Sequence, residues 1–164
     1  MISCNNYLER KNYKMNEFMN EAIKEAYIGI ENKHGGPFGS VIIKDGKIVG
    51  RGHNEVLKNN DPTCHGEMMA IRDACKNLGT FDLSGCEIFT SAQCCLMCLG
   101  ACLWANIDKI YYGCTISDTD EIGFRDEIFD KDIKALRASV EAPLDREACL
   151  RLFADYLKTN PQNY

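Results

Sequence analysis

The sequence predicts an α/β protein with three layers, α/β/α, around one mixed sheet. Two stretches rich in β-branched residues flank Asp45-Gly46, which is a strong signal for a two-residue hairpin turn. After them, helical patterns alternate with short strand-like stretches, which is typical of β–α–β crossovers. The 164 residues are 45% hydrophobic and 26% charged, which is the composition of a folded domain. We therefore expect a single domain over residues 1–164.

The first half of the chain predicts a helix and the hairpin. Residues 16–32 form a helix, because the apolar side chains at Phe18, Ala22, Ala26 and Ile30 recur every four positions. The run Gly35-Gly36-Pro37 ends it. Residues 38–44 and 47–52 are the two hairpin strands.

The middle of the chain predicts two further strands, each preceded by a helix. A polar loop covers residues 54–64. Gly79 provides the end of the helix that follows the loop, since glycine favours the position just after a helix. The predicted elements are a helix over 65–78, a strand over 86–90, a helix over 95–105 and a strand over 109–114.

The last third of the chain is less regular. A short strand is expected near 138–140. A final helix is expected over 144–157, with one apolar face formed by Leu144, Ala148, Leu152 and Tyr156. We expect residues 144–164 to form a C-terminal helix and tail that closes the active site.

Charge and hydropathy exclude several classes of function. The net charge is −5, and residues 115–132 alone hold seven acidic side chains against two basic ones. Such a stretch repels a polyanion, so nucleic acid is an unlikely partner. No apolar run approaches the ~20 residues of a membrane span, and no secretory signal is visible. We therefore expect a cytoplasmic protein with no membrane partner.

Ten cysteines indicate metal or redox chemistry, because a chain of this length and helix content is not a small disulfide scaffold. Four of them fall within nine positions: Cys94, Cys95, Cys98 and Cys102. Cys95 and Cys98 present two thiolates on the first turn of a predicted helix, where the helix dipole favours negative charge.

A second motif, His65-Gly66-Glu67, opens the preceding helix. His65 with Cys95 and Cys98 gives three protein ligands for zinc, which leaves a fourth position for water, as in catalytic zinc sites. Zinc lowers the pKa of a bound water from 15.7 to about 7. Glu67 is then placed to take up a proton and pass it to a leaving group.

Two other classes remain open on these residues alone. A thiol-redox protein would use Cys95 and Cys98 as an exchange pair, although His65 and Glu67 would then have no role. A structural zinc module would need a fourth protein ligand, which Cys94 or Cys102 could supply.

The spacing of His65-x-Glu67, about 27 residues and Cys95-x-x-Cys98 resembles the zinc-dependent cytidine and deoxycytidylate deaminase superfamily. Further stretches resemble its purine-directed branch and, within it, the bacterial guanine deaminases: Gly35-Gly36-Pro37-Phe38-Gly39, Asn59-Asn60-Asp61-Pro62-Thr63, Leu99-Gly100-Ala101, Trp104 and Gly123-Phe124 with Asp126. The chain departs from the family at Gln93-Cys94, where Glu-Pro is usual, and at Gly66, where alanine is usual. Cys94 is therefore an alternative to Cys95 as a ligand.

The resemblance implies the cytidine deaminase-like fold, one Zn²⁺ per chain and a set of site residues. His65, Cys95 and Cys98 would bind the metal, and Glu67 and Asp126 would be catalytic. The substrate would be contacted by Phe38, Asn54, His65, Gly66, Trp104, Asp126 and Tyr164.

The implied reaction is hydrolytic deamination of a free purine base, guanine to xanthine and ammonia. A tRNA adenosine deaminase and a pyrimidine deaminase acting on cytosine or deoxycytidylate are the alternatives within the superfamily. The resemblance also implies a homodimer, with C-terminal segments that could be exchanged between subunits.

Overall fold

A computed structural model describes residues 16–125, 146, 150 and 151. The chain divides into two compact units, residues 1–131 and 132–164. In the second unit the described residues 146, 150 and 151 are helical, as the predicted final helix requires. The strand expected near 138–140 lies outside the described residues. No helix in the described part of the chain has the length and apolar character needed to cross a membrane.

Residues 16–125 contain five helices and four strands. In chain order they are α1 (Glu17–Glu31), β1 (Gly39–Lys44), β2 (Lys47–His53), α2 (Val56–Asn59), α3 (Gly66–Leu78), β3 (Cys86–Ala92), α4 (Leu96–Trp104), β4 (Lys109–Cys114) and α5 (Ile116–Glu121). The prediction missed α2 and α5, which are one to two turns long and lie in polar stretches without apolar periodicity. It also ended β3 two residues early.

The strands form one mixed sheet in the order β2-β1-β3-β4. The hairpin pair β1–β2 is antiparallel, β1–β3 is antiparallel and β3–β4 is parallel. The hairpin turn is tight because Asp45 and Gly46 both adopt positive φ, at 49° and 71°. The predicted mixed sheet is confirmed.

The sheet has a helical layer on each face. On one face Ile42 and Ile88 pack with Ala70 of α3 and Cys98 and Cys102 of α4. On the other face Val41, Ile43 and Phe89 pack with Ala22 of α1. Neighbouring strand residues thus alternate between the two cores, which is what a sheet covered on both sides requires. The three-layer prediction is confirmed.

Glycines let both helical layers approach the sheet closely. A Cβ atom at Gly39 of β1 would overlap the carbonyl oxygen of Ala22 and the nitrogen of Ala26. A Cβ atom at Gly52 of β2 would overlap the backbone of Ala70 in α3. Because these obstacles are backbone atoms of packed helices, they have little room to move away.

We therefore expect Gly39→Ala to destabilise the protein by about 1–3 kcal/mol, the usual cost of overpacking a core. The control is Gly100→Ala in α4, where an added Cβ meets no atom within 4 Å. Gly100→Ala should leave stability unchanged or raise it by up to about 1 kcal/mol, because alanine favours the helix. Urea unfolding of both variants measures the difference. Equal stabilities would show that the close approach of α1 to the sheet is not a constraint.

Candidate metal centre and cavity

Two helices begin next to each other, and the residue at each start is a metal-ligand type. His65 is the N-cap of α3, and Cys95 is the N-cap of α4. Asn16 and Thr115, the N-caps of α1 and α5, accept hydrogen bonds from their own helices through their side chains. The side chains of His65 and Cys95 do not cap their helices. They are directed toward each other instead.

The predicted zinc ligands converge at these two helix starts. The Sγ atoms of Cys95 and Cys98 each lie 3.6 Å from Nδ1 of His65. One ligand atom from each of the three residues lies within 4.8 Å of the others. Zinc bonds of about 2.3 Å to sulfur and about 2.0–2.1 Å to nitrogen, at a tetrahedral angle, separate the two donors by roughly 3.6 Å. The three residues therefore fit a zinc ion bound through Nδ1 of the histidine.

The two thiols of this cluster form a hydrogen bond with each other, which shifts their pKa values in opposite directions. The Cys98 thiol hydrogen-bonds to Cys95 and, with help from His65, lowers the pKa of Cys95 to about 4. The same hydrogen bond, together with burial, raises the pKa of Cys98. One sulfur is thus poised as a thiolate and the other holds the proton. A dication beside both sulfurs stabilises the thiolate form of each, which is the form that binds metal.

Glu67 lies on the first turn of α3, and its side chain is buried, with 5% of the residue exposed. Burial raises the pKa of its carboxyl group. Glu67 lines the same cavity as His65 and Cys95. A buried carboxyl group two residues beyond a metal ligand is suited to exchanging a proton with a molecule in that cavity.

The cavity has a volume of about 470 Å³ and a wall of aromatic, glycine and polar residues. The residues that line it are Gly35, Gly36, Phe38, Asn54, Val56, Leu57, Pro62, His65, Glu67, Ala92, Gln93, Cys95, Thr119, Phe124 and Arg125. They come from the starts of α3 and α4, the end of β3, the short helices α2 and α5, and several connecting segments. A volume of this size is within the range of small-molecule sites.

Three predicted substrate residues, Phe38, Asn54 and His65, line this cavity. The ring of Phe38 meets the ring of Phe124 edge to face, with centroids 4.7 Å apart. Gly66 is buried at the first position of α3, where an added Cβ would lie 3.0 Å from the carbonyl oxygen of Phe38. The contact explains why a residue without a side chain is accommodated well at position 66.

Asn54 is 4% exposed, and its side-chain oxygen has two partners. Oδ1 accepts hydrogen bonds from the backbone nitrogens of Gly36 and Val56, each at 3.2 Å. These bonds tie the segment after α1 to the segment after β2. With Oδ1 occupied, the Nδ2 donors are the part of this amide that remains to bind a ligand.

Trp104 does not lie where the sequence predicts. It is the last residue of α4, it is 71% exposed, and it is not among the residues that line the cavity. The cavity borders the first residues of α4, and the length of the helix, roughly 12 Å, separates its two ends. Asp126 and Tyr164, the other predicted substrate residues, lie outside the described residues.

Sequence reasoning missed several residues of the cavity wall, among them Gln93, Thr119 and Arg125. Thr119 belongs to α5, which Thr115 and Asp118 begin with a reciprocal capping box. The pattern Thr-x-x-Asp was the available signal for this helix. It lies within the acidic stretch, where the density of charged residues is typical of a solvated segment rather than of a cavity wall.

Cys94 lies in the core rather than with the metal ligands. It packs with Cys98 and Cys102 in the core cluster under α4, and 8% of it is exposed. A hydrogen bond with Cys102 and burial raise the pKa of its thiol. Among the described residues, the ligand group at this site consists of His65, Cys95 and Cys98. The arrangement favours Cys95 over Cys94 as the ligand.

A family model describing the cytidine and deoxycytidylate deaminase zinc-binding region matches residues 12–114 of the chain. Guanine deaminase of Bacillus subtilis is 45% identical over 116 residues, which are 71% of this chain and 74% of that protein. The tRNA-specific adenosine deaminase of Aquifex aeolicus is 39% identical over 95 residues, which are 58% of this chain and 62% of that protein.

The fold is also similar to a solved structure. The X-ray structure of guanine deaminase from Bacillus subtilis superposes with a TM-score of 0.79 at 38% identity. The superposition covers 92% of this chain and 98% of that one. The comparison agrees with the mixed sheet and helical layers described above.

The ligand assignment predicts opposite results for two neighbouring cysteines. Cys95→Ser should lose zinc, because it removes one of three donors. Cys94→Ser should keep about one zinc per chain, because that thiol packs in the core. Elemental analysis of the purified variants, with circular dichroism to verify folding, measures this. Zinc retained in Cys95→Ser and lost in Cys94→Ser would reverse the assignment.

Proposed function

The chain belongs to the cytidine and deoxycytidylate deaminase family of zinc-binding hydrolases that act on C–N bonds, and on that premise we propose that it deaminates the free base guanine. The reaction is guanine plus water to xanthine plus ammonia. The observation that carries the proposal is the convergence of His65, Cys95 and Cys98 beside the buried carboxyl group of Glu67. Of these four residues, His65, Cys95 and Glu67 line one cavity. The similarity to guanine deaminase of Bacillus subtilis supports the choice of base.

His65, Cys95 and Cys98 would hold the zinc ion. When bound, zinc supplies a water molecule that is nucleophilic near neutral pH. The carboxylate of Glu67 would accept a proton from the attacking water and deliver it to the departing amino group, which leaves as ammonia. Because Glu67 is buried, its carboxyl group would be shielded from bulk water while it transfers the proton.

The walls of the cavity would position the purine. Phe38, braced edge to face by Phe124, offers a flat apolar surface to a planar ring. The Nδ2 donors of Asn54 would bind an acceptor atom on the ring, since Oδ1 is held by two backbone nitrogens. Asp126 and Tyr164 remain predicted contacts to the substrate, the latter as part of a closing tail.

The main alternative is deamination of adenosine in tRNA, because a tRNA-specific enzyme is also a relative. Charge beside the cavity argues against it. Thr119 lines the cavity, and its neighbours on α5, Asp118, Asp120 and Glu121, are exposed. Although Arg125 also lines the cavity, we expect the exposed carboxylates of α5 to repel the phosphate backbone of an RNA strand that approaches along this helix. A small uncharged base meets no such barrier.

Two further expectations remain proposals. We infer a homodimer, which the exposed apolar side chains of Leu103, Trp104 and Tyr112 support. A partner subunit could also exchange its C-terminal segment. The cytoplasmic location remains a prediction from sequence.

The test of the function is ammonia release from a panel of guanine, guanosine, adenine, cytosine and tRNA. We expect guanine to be the preferred substrate. Glu67→Gln should keep its zinc and lose activity by at least 10²-fold, within the 10²–10⁴-fold range typical of general acid–base catalysis. The control Glu31→Gln, an exposed glutamate at the end of α1, should behave as the parent. Preference for tRNA or cytosine would refute the guanine assignment, and Glu67→Gln activity within tenfold of the parent would refute the mechanism.

A second prediction tests whether the Nδ2 donors of Asn54 bind the substrate. Asn54→Asp keeps an oxygen to accept from Gly36 and Val56 but replaces the Nδ2 donors with an acceptor. Leaving a buried acceptor of the substrate unpaired costs about 1–3 kcal/mol, so kcat/KM for guanine should fall by roughly 10–100-fold. The thermal midpoint and zinc content should stay near those of the parent. Unchanged kinetics would show that Asn54 holds the two segments together and does not contact the base.

A further inference from the structure

A second group of metal-binding side chains lies outside the zinc centre. Among the described residues, His34, His53 and Glu55 each place one ligand atom within 4.8 Å of the others. Nδ1 of His34 is 2.8 Å from Nε2 of His53, and Nε2 of His53 is 3.4 Å from Oε1 of Glu55. Bonds of about 2.0–2.2 Å to one ion would separate such donors by roughly 2.9 Å at a right angle and roughly 3.4 Å at a tetrahedral angle. The distances therefore suit a shared ion.

A carboxylate behind His53 orients its ring. Nδ1 of His53 lies 3.4 Å from Oε2 of Glu25, which is buried in α1. In the tautomer of His53 that donates from Nδ1–H to this carboxylate, the lone pair of Nε2 faces His34 and Glu55. Arg51 holds the other oxygen of Glu25 at 3.4 Å. A carboxylate that fixes the tautomer of a histidine is the usual support of a metal-bound imidazole.

In the structure, Nδ1 of His34 and Nε2 of His53 form a hydrogen bond with each other, and an ion would replace this bond. Their ring planes differ by 18° and their centroids are 5.1 Å apart, so the rings meet nearly edge to edge. When His53 donates from Nδ1–H to Glu25, the proton between the rings belongs to Nδ1 of His34. Metal binding requires His34 to carry its proton on Nε2 and to turn, so that both lone pairs converge.

The site has an entry path. His53 and Glu55 line a surface cleft of about 320 Å³. Lys58 contacts Oε1 of Glu55 at 2.8 Å, and its side chain is 44% exposed. It can therefore move into solvent when a cation arrives. The hydrogen bonds from Lys58 and Asn59 outweigh the effect of burial and lower the pKa of Glu55, which keeps this carboxyl group ionised.

We propose that His34, His53 and Glu55 form a second metal site for a divalent transition ion of the Zn²⁺, Ni²⁺ and Cu²⁺ class. Two imidazoles and one carboxylate favour these ions over Mg²⁺ and Ca²⁺, which prefer oxygen ligands alone. His34 directly precedes Gly35, and both His53 and Glu55 flank Asn54, so the ligands adjoin residues of the cavity wall. Its ligands are distinct from His65, Cys95, Cys98 and Glu67, so metal binding here can be tested apart from the deamination reaction.

Calorimetric titration of the zinc-loaded enzyme with Ni²⁺ tests the proposal, with elemental analysis afterwards. We expect one Ni²⁺ per chain with the original zinc retained, and no charge-transfer absorption of the kind that nickel–thiolate bonds give. His34→Gln and His53→Gln should each weaken Ni²⁺ binding at least tenfold. Glu25→Gln should weaken it about 10–100-fold, the usual effect of losing a support to a ligand.

Two control variants distinguish the loss of a metal ligand from general damage to the fold. Lys58→Met removes the cation that competes for Glu55, so Ni²⁺ should bind as tightly as in the parent or more tightly, which general damage to the fold would not produce. Cys114→Ser removes an exposed thiol and should bind as the parent does. No Ni²⁺ beyond displaced zinc, or Ni²⁺ binding that survives both histidine substitutions, would overturn the proposal and leave the pair as a structural hydrogen bond.

Discussion

The structure of the site depends on two helices starting at the same place. α3 and α4 pack on one face of the sheet, and their N-caps, His65 and Cys95, stand within bonding distance of one ion. The glycines of β2 permit this, because any side chain at Gly52 would push α3 away from the sheet at the turn that carries His65. A misplacement of about 1 Å is enough to weaken a preorganised site. The packing of small residues thus sets the geometry of the metal centre.

Local electrostatics follow from the same arrangement. The first turns of both helices present backbone N–H groups and positive dipole ends to the thiolates and to Glu67. Glu67 is buried there and its pKa is raised, whereas Cys95 is partly exposed and its thiol has a pKa of about 4. The pKa shifts of these two neighbouring acidic groups are therefore opposite in direction, because burial acts on Glu67 whereas hydrogen bonds from Cys98 and His65 act on Cys95.

The sequence predicts most of this because the decisive signals are local. Helix stops such as Gly79, the Asp45-Gly46 turn and the spacing of Cys95 and Cys98 depend on a few neighbouring residues. The wall of the cavity depends on contacts between distant segments, and there the prediction is incomplete. Thr119 and Arg125 carry no local mark of a binding residue, and Trp104 matches the motif of a family while the end of its helix points away from the cavity.

Reaction chemistry and substrate recognition lie on different parts of this chain. The metal ligands and Glu67 lie at the starts of two helices that also build the core. The surfaces proposed to meet the ring come from residues 35–38, 54–62 and 119–125, which hold connecting segments and parts of the short helices α2 and α5 and carry less of the core packing. Divergence within the family can therefore exchange one nitrogenous substrate for another by loop replacement while the hydrolytic apparatus is inherited intact.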